Sequence, residues 1–159
     1  MADDNARKFI VRKIDQKFLL KYNASSSGLV IDWTDIGEDT ESKVVREAPT
    51  EGAVRFFFIT KKSHGGTRTS EKKEINEAEY NELLQSSLTR IVKTRYRFDI
   101  SQDGRSFSLR YDKFSSNKFM LEVDALSGEK IKLFQPEAFP YTLQEVTGDK
   151  NYYGHRFGA

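Results

Sequence analysis

Charged and apolar side chains alternate through run after run of this chain, and most regularly from Arg90 to Phe98. There Lys93, Arg95 and Arg97 take the odd positions, and Val92, Tyr96 and Phe98 the even ones. Side chains along a β-strand point to opposite faces in turn, so one face of such a segment carries cations and the other packs. The same parity elsewhere groups Asp4, Ala6, Lys8 and Arg12; Arg55 with Lys61; Arg68, Ser70, Lys72 and Glu74; Arg110 with Asp112; and Glu122 with Asp124. Glu122 and Asp124 leave one strand side by side, with β-carbons roughly 6 to 7 Å apart, a spacing that can grip one hard cation.

The polar face of an antiparallel sheet ordinarily meets water. Bulky apolar residues on the other face of so many strands, however, require a cover. If the sheet closes with those residues outward, the charged residues line a lumen. Clustered cations there repel one another unless a polyanion, a metal with carboxylates, or both are present.

At 159 residues the chain suits one domain with a real core. It has no Cys and only His64 and His155, which excludes disulfides, thiolate sites and a histidine-rich zinc site. Lys and Arg number 26 against 24 Asp and Glu, so the net charge of +2 carries no global argument for nucleic acid. No apolar run approaches the roughly 20 residues that cross a bilayer, and the start, MADDNARK, lacks a secretory core. The expectation is a soluble, cytoplasmic protein, without a membrane partner, as monomer or homodimer.

Strands are expected at Arg7 to Arg12, Gly28 to Trp33, Lys43 to Glu47, Ala53 to Lys61 and Thr67 to Ile75. Ile14 to Tyr22 fits either a short helix or a strand. Asn23 to Gly28 and the acidic Asp35 to Ser42 read as loops. Three consecutive Phe, 56 to 58, imply burial on both faces. Asn76 with Glu79 has capping-box spacing and predicts a helix from about Glu77 to Leu88. Arg90 to Ile100 and Ser106 to Phe114 flank Asp103-Gly104, a hairpin signal because both residues tolerate positive φ. Phe119 to Ala125 is a further strand, Ser127-Gly128 a turn, and the remainder a partly ordered cover. Seven or eight strands with one clear helix give an α+β protein, predominantly antiparallel β, of barrel type.

Other motif classes contribute little. No P-loop and no GxSxG occurs, Ser63 to Gly66 reads as a turn, His155 is expected to be exposed, and Trp33 to serve packing.

Taken in order, the motifs resemble the CYTH, or triphosphate tunnel, superfamily, over nearly the whole chain. Arg7 to Val11 looks like the ERKFLV part of an N-terminal ExExK signature, and Ile14 to Leu19 like IxQxYL. Phe58 to Lys61 resembles LTxK, Arg68 to Ile75 the RxExExxI stretch, Lys93 to Tyr96 KxRY, Tyr111 to Phe114 IDxF, and Leu121 to Asp124 AEVE. Phe134-Gln135-Pro136 resembles FxP, and Glu145 to Asp149 with Tyr152 resembles EVTxDxxY.

The resemblance implies a single triphosphate-tunnel domain over 1–159, an eight-stranded closed barrel with few flanking helices. Its lumen would hold inorganic, nucleoside or thiamine triphosphate on Lys8, Arg46, Lys61, Arg68 and Arg95, with Arg97 on the same face. Asp4, Asp112, Glu122 and Asp124 would hold Mg²⁺ or Mn²⁺, with Glu122 and Asp124 as catalytic groups positioning water. Hydrolysis would then be metal-assisted attack of water on a phosphoryl group.

This chain departs from the pattern in its acids. Asp4-Asn5-Ala6-Arg7-Lys8 shortens one Glu and loses the other to Ala6, Ser70 stands where the family carries Glu, and an RxR pair is reduced to Arg46 unless Lys43 substitutes. The competing expectations are a metal-dependent triphosphatase and a non-catalytic nucleotide or polyphosphate sensor or sponge. Single-stranded nucleic acid is disfavoured, because the aromatics lie mostly opposite the basic residues.

Overall fold

The computed structural model describes residues 2–3, 6–124 and 128–159, with side chains described for 6–124 and 130–159. Among the described residues ten strands form one antiparallel sheet: β1 (Ala2–Asp3), β2 (Arg7–Val11), β3 (Ser25–Ile36), β4 (Thr40–Pro49), β5 (Arg55–His64), β6 (Thr67–Ile75), β7 (Thr89–Gln102), β8 (Arg105–Phe114), β9 (Phe119–Asp124) and β10 (Thr142–Glu145). Their order is β1-β6-β5-β4-β3-β7-β8-β9-β2-β10. Among the described residues four short α-helices accompany them: α1 (Gln16–Lys21), α2 (Glu77–Leu84), α3 (Gly128–Lys132) and α4 (Gly154–Phe157).

The expected closed eight-stranded barrel is corrected to an open, curled ten-stranded sheet. Closure would need β2 to pair with β6. Both free edges are already taken, β6 by β1 and β2 by β10, so the ladder has two ends. The ends nevertheless lie close together. Asp3 pairs on β6 and Arg7 on β9, and the four residue steps from one to the other span at most about 14 Å.

Two separate layers cover the outside of the curl. Over β7, β8, β9 and β2, the residues Phe98, Phe107, Leu109, Phe9 and Val123 pack against Leu19 and Phe18 of α1 and against Phe134 and Phe139 of the C-terminal segment. Over β4 to β6, Val44, Phe56, Phe58 and Ile75 pack against Tyr80, Leu83 and Leu84 of α2. Each fully buried large side chain of this kind contributes about 1.5 to 3 kcal/mol. The three phenylalanines thus divide, Phe57 inward and Phe56 and Phe58 toward α2.

Local signals explain most elements. Asn76 accepts from Glu79 N at 2.8 Å while Glu79 reaches back to Asn76 N, a complete capping box. The β7–β8 turn places Asp103 at φ 50° and Gly104 at φ 75°. Helix α2 ends at Leu84 rather than Leu88, because Leu88 N donates to Trp33 O at 2.7 Å and Ser87 Oγ to Asp32 Oδ1 at 2.7 Å, drawing the chain back to the sheet.

Neither stretch expected as a loop stays one. Strand β3 starts at Ser25, opposite Arg97, and β3 and β4 continue through the acidic stretch to a tight turn in which Gly37 N donates to Thr40 O at 2.8 Å. Long partner strands supply the hydrogen bonds that composition did not announce. The open alternative for Ile14 to Tyr22 resolves as helix α1. Ser127 lies outside the described residues, and Gly128 begins α3. Among the described residues no helix is long and apolar enough to cross a membrane.

Candidate functional site

Inward-facing positions of β2 to β9 converge on one cavity of about 200 Å³. The parity is shared across the ladder: Lys8 opposes Glu122, Glu122 opposes Arg110, Arg110 opposes Arg97, and Arg95 opposes Asp112. Among the described residues nine basic side chains line it (Lys8, Lys43, Lys61, Arg68, Lys72, Lys93, Arg95, Arg97 and Arg110) against three acidic ones, Glu41, Glu47 and Glu122. A chain of net charge +2 has gathered its positive charge here. One wall is apolar, formed by Leu29, Ile31, Trp33, Phe57, Ile91 and Phe114. Such a wall lowers the local dielectric and strengthens any charge interaction in the cavity.

The carboxylates are held by these cations. Asp112, 1% exposed, accepts from Lys93 Nζ at 2.7 Å and from Arg95 Nε and Nη2, each at 2.7 Å. Glu122 meets Arg110 Nη2 at 2.8 Å and Lys8 Nζ at 4.0 Å, and Asp124 shares the same Arg110 nitrogen at 3.1 Å. Glu47 meets Arg97 Nη2 at 3.4 Å, and Glu41 binds Arg68 and accepts from Trp33 Nε1 at 2.9 Å.

Burial and charge set the ionisation. Burial would raise the Asp112 and Glu122 carboxyls, but the surrounding Arg and Lys outweigh it and hold both below their usual range. Glu41 follows the same logic through Lys43 and Arg68. Burial, aided by Arg95 and only partly opposed by Asp112, lowers Lys93 to about 8. Burial and the neighbouring Lys61 push Lys43 well below the usual lysine range, and burial also lowers Lys72. For Lys43 and Lys72 no carboxylate lies within ion-pair distance among the described residues. Their ammonium groups sit instead over aromatic rings, Lys43 at 5.2 Å from the centre of Trp33 and Lys72 at 4.2 Å from that of Phe57. Arg110 Nε is buried and meets no acceptor among the described residues. Cations stripped of water and short of counter-ions are a prepared anion site.

The C-terminal segment stops one end of the curl. Tyr153 lies under Lys8, 5.5 Å from its ring centre, and under Arg68 at 4.1 Å. A Cβ on Gly154 would stand 3.4 Å from the Trp33 ring, and Phe157 packs edge-on against Phe114. His155, expected to be exposed, is largely enclosed: it meets Trp33 edge-on, its Nδ1 is 3.5 Å from Glu41, and burial lowers its pKa.

Of the residues named from sequence, Lys8, Lys61, Arg68, Arg95, Arg97 and Glu122 line the cavity. Asp112 lies buried beneath it, and Asp124 is half exposed at its rim. Arg46 is corrected: it opposes Val30 and Phe56 on the outer face and is exposed, while its neighbours Lys43, Val45 and Glu47 point inward. Asp4 lies outside the described residues. Lys43 and Glu47 were detectable by the same alternation once β4 is counted from Lys43. Tyr153 had no such signal, since it reaches the cavity from an irregular tail. Ser70, which replaces an acid of the resembled pattern, lines this cavity, and Ala6 lines the adjoining one, so both losses make the interior more positive.

A divalent ion fits the described residues poorly. No group of three or more Asp, Glu or His among them is placed to hold a metal, and each cavity carboxylate already serves Arg or Lys. A metal would have to displace a cation from its partner.

No family model and no curated protein matches this chain. Solved structures do. It is similar to the hypothetical protein NE1496, at 22% identity and TM-score 0.63, over 96% of this chain and 95% of that one. It is also similar to PH1819 from Pyrococcus horikoshii OT3, at 14% identity and TM-score 0.58 over 89% and 90%. PH1012 from the same organism follows at 10% identity and TM-score 0.54 over 80% and 83%. These likenesses are of fold, and they run nearly end to end.

Proposed function

We infer that the cavity binds the phosphate chain of a triphosphate-containing polyanion, inorganic or organic, and holds it without turnover. The observation that carries this reading is the excess, among the described residues, of nine basic over three acidic side chains around one small cavity. Lys43, Lys72 and the Arg110 Nε supply donors that the carboxylates of the described residues leave unanswered. Arg and Lys suit phosphate oxygens because their hydrogen bonds are charge-assisted. The ordered likeness to triphosphate-tunnel motifs supports the same ligand class.

Binding without turnover follows from the acids. Metal-assisted hydrolysis needs carboxylates free to coordinate, and Asp112, Glu122 and Asp124 each answer a cation instead. The role that remains is receptor or sponge.

The test is calorimetric titration of inorganic triphosphate and ATP, with and without Mn²⁺, with released phosphate assayed in the same samples. Binding without release is the expected result. Metal-dependent release abolished by Glu122→Gln would replace this reading with the phosphohydrolase, and absence of binding would leave only the fold.

A further inference from the structure

The register of β3, β4 and β5 sets Lys43 between Trp33 and Ile59, with Val45 the next inward residue along its own strand, and all four line the cavity. The Lys43 Nζ stands 5.2 Å from the Trp33 ring centre, and among the described residues no carboxylate comes within ion-pair distance of it. Lys93, by contrast, is held by Asp112 at 2.7 Å, and Lys8 faces Glu122 at 4.0 Å. Burial and the charge of Lys61 press the Lys43 amine well below the usual lysine range, and Glu41 opposes them only in part. A lysine desolvated beside other cations holds more of the neutral amine near pH 7, and the neutral amine is a nucleophile.

The cations that discourage a proton on Lys43 also suit a departing phosphate. Lys61, Lys93 and Lys8 act on Lys43 through their charge, and all three line the same space. An electrophile that joins a carbonyl carbon to a phosphate leaving group therefore finds both of its partners together: cations to anchor and release the phosphate, and an amine for the carbon. A phosphate ester or phosphoanhydride offers no carbonyl carbon, and an uncharged acid anhydride offers nothing for the cations to hold. At about 200 Å³ the space also restricts the acyl group to a short one.

Resting on the reading of this cavity as a phosphate site, we propose that Lys43 is a covalent modification site for short acyl phosphates, the mixed anhydrides of a carboxylic acid and phosphoric acid. The Nζ lone pair of Lys43 forms a bond to the carbonyl carbon. The bond from that carbon to the bridging oxygen breaks, and inorganic phosphate departs with its electron pair and with a proton from the attacking amine. An amide remains on Lys43 and one positive charge of the cavity is gone. Polyanion affinity falls with it, so the supply of acyl phosphate sets the capacity of the site.

The experiment incubates the full chain with acetyl phosphate near pH 7 and follows acetylation of each lysine by peptide mass spectrometry, with the exposed Lys62 and Lys113 as internal references. Parallel samples contain excess triphosphate, or acetic anhydride in place of acetyl phosphate, and calorimetry measures triphosphate binding before and after acetylation. Lys43 should be acetylated at least about tenfold faster than either reference. Triphosphate should suppress that preference, and acetic anhydride, which carries no phosphate, should bring it toward one. The acetylated chain should bind triphosphate about tenfold more weakly. Acetylation of Lys43 no faster than of the references, an equal preference with the anhydride, no protection by triphosphate that calorimetry shows to bind, or unchanged affinity after acetylation would each overturn the proposal while leaving the phosphate site standing. Failure of triphosphate itself to bind would remove the underlying reading and this proposal with it.

Discussion

Arg95 presents Nε and Nη2 to the two oxygens of Asp112, both at 2.7 Å, on the adjoining strands β7 and β8. With Lys93 Nζ completing the shell, one buried carboxylate holds the buried Lys93 and the partly buried Arg95. Asp112 thus fixes the floor of the cavity and sets how much of its positive charge remains for a ligand.

Asp112→Asn removes the negative charge and leaves the buried Lys93 and the partly buried Arg95 without their shared counter-ion. Breaking a buried pair in this way costs about 3 to 5 kcal/mol. Chemical denaturation should show that loss, and added triphosphate should recover more stability in the variant than in the native chain. A variant as stable as the native chain would contradict the role assigned to Asp112.

Lys93 gives a pH signature of defined sign. Its amine is lowered to about 8 in the fold from near 10.5. Between those values the unfolded chain binds more protons, so this group makes stability rise with pH, by at most about 3 kcal/mol. Polyanion affinity should move the other way and weaken above about pH 8 as the ammonium is lost. Both trends are read as the difference between the native chain and Lys93→Met across pH 7 to 10.

Lys43→Met keeps much of the side-chain bulk over Trp33 and deletes the charge. Charged hydrogen bonds contribute about 1.5 to 3 kcal/mol, so triphosphate affinity should fall about tenfold to a hundredfold while the melting temperature holds or rises. Arg46→Met, on the outer face, is the matched comparison and should bind as the native chain does. Equal losses in the two would deny the inward facing of Lys43.

Chelation should leave affinity for triphosphate in place, because the described carboxylates are engaged by Arg and Lys rather than poised for a metal. Titration in EDTA checks this. A drop of tenfold or more would mean that a divalent ion completes the site.

Gly158 lies where a Cβ would come within 2.6 Å of Phe114 and 2.8 Å of Ile91. Gly158→Ala should cost about 1 to 3 kcal/mol through overpacking. The displaced α4 should also expose Trp33, which tryptophan fluorescence would report as a red shift. An unshifted spectrum with native stability would show that the C-terminal segment does not seal this end.

Alternation alone located most of the strands and the basic face, because a period of two is a property of the backbone and shows wherever cations and apolar groups take turns. Lys93, Arg95, Arg97, Arg68 and Lys61 were legible for that reason, as were the Asn76 cap and the Asp103-Gly104 turn. What the chain order did not disclose was partner choice. That β1 covers β6 and β10 covers β2, leaving the curl unclosed, depends on hydrogen bonds between segments far apart in sequence. The β3–β4–β5 register turns Arg46 outward and brings Lys43 beside Trp33, and the C-terminal tail seats Tyr153 between Lys8 and Arg68. Sequence by itself determined which side chains could share a face. Only the tertiary structure decided which faces meet, because register and edge pairing are set by the whole sheet rather than by any one strand.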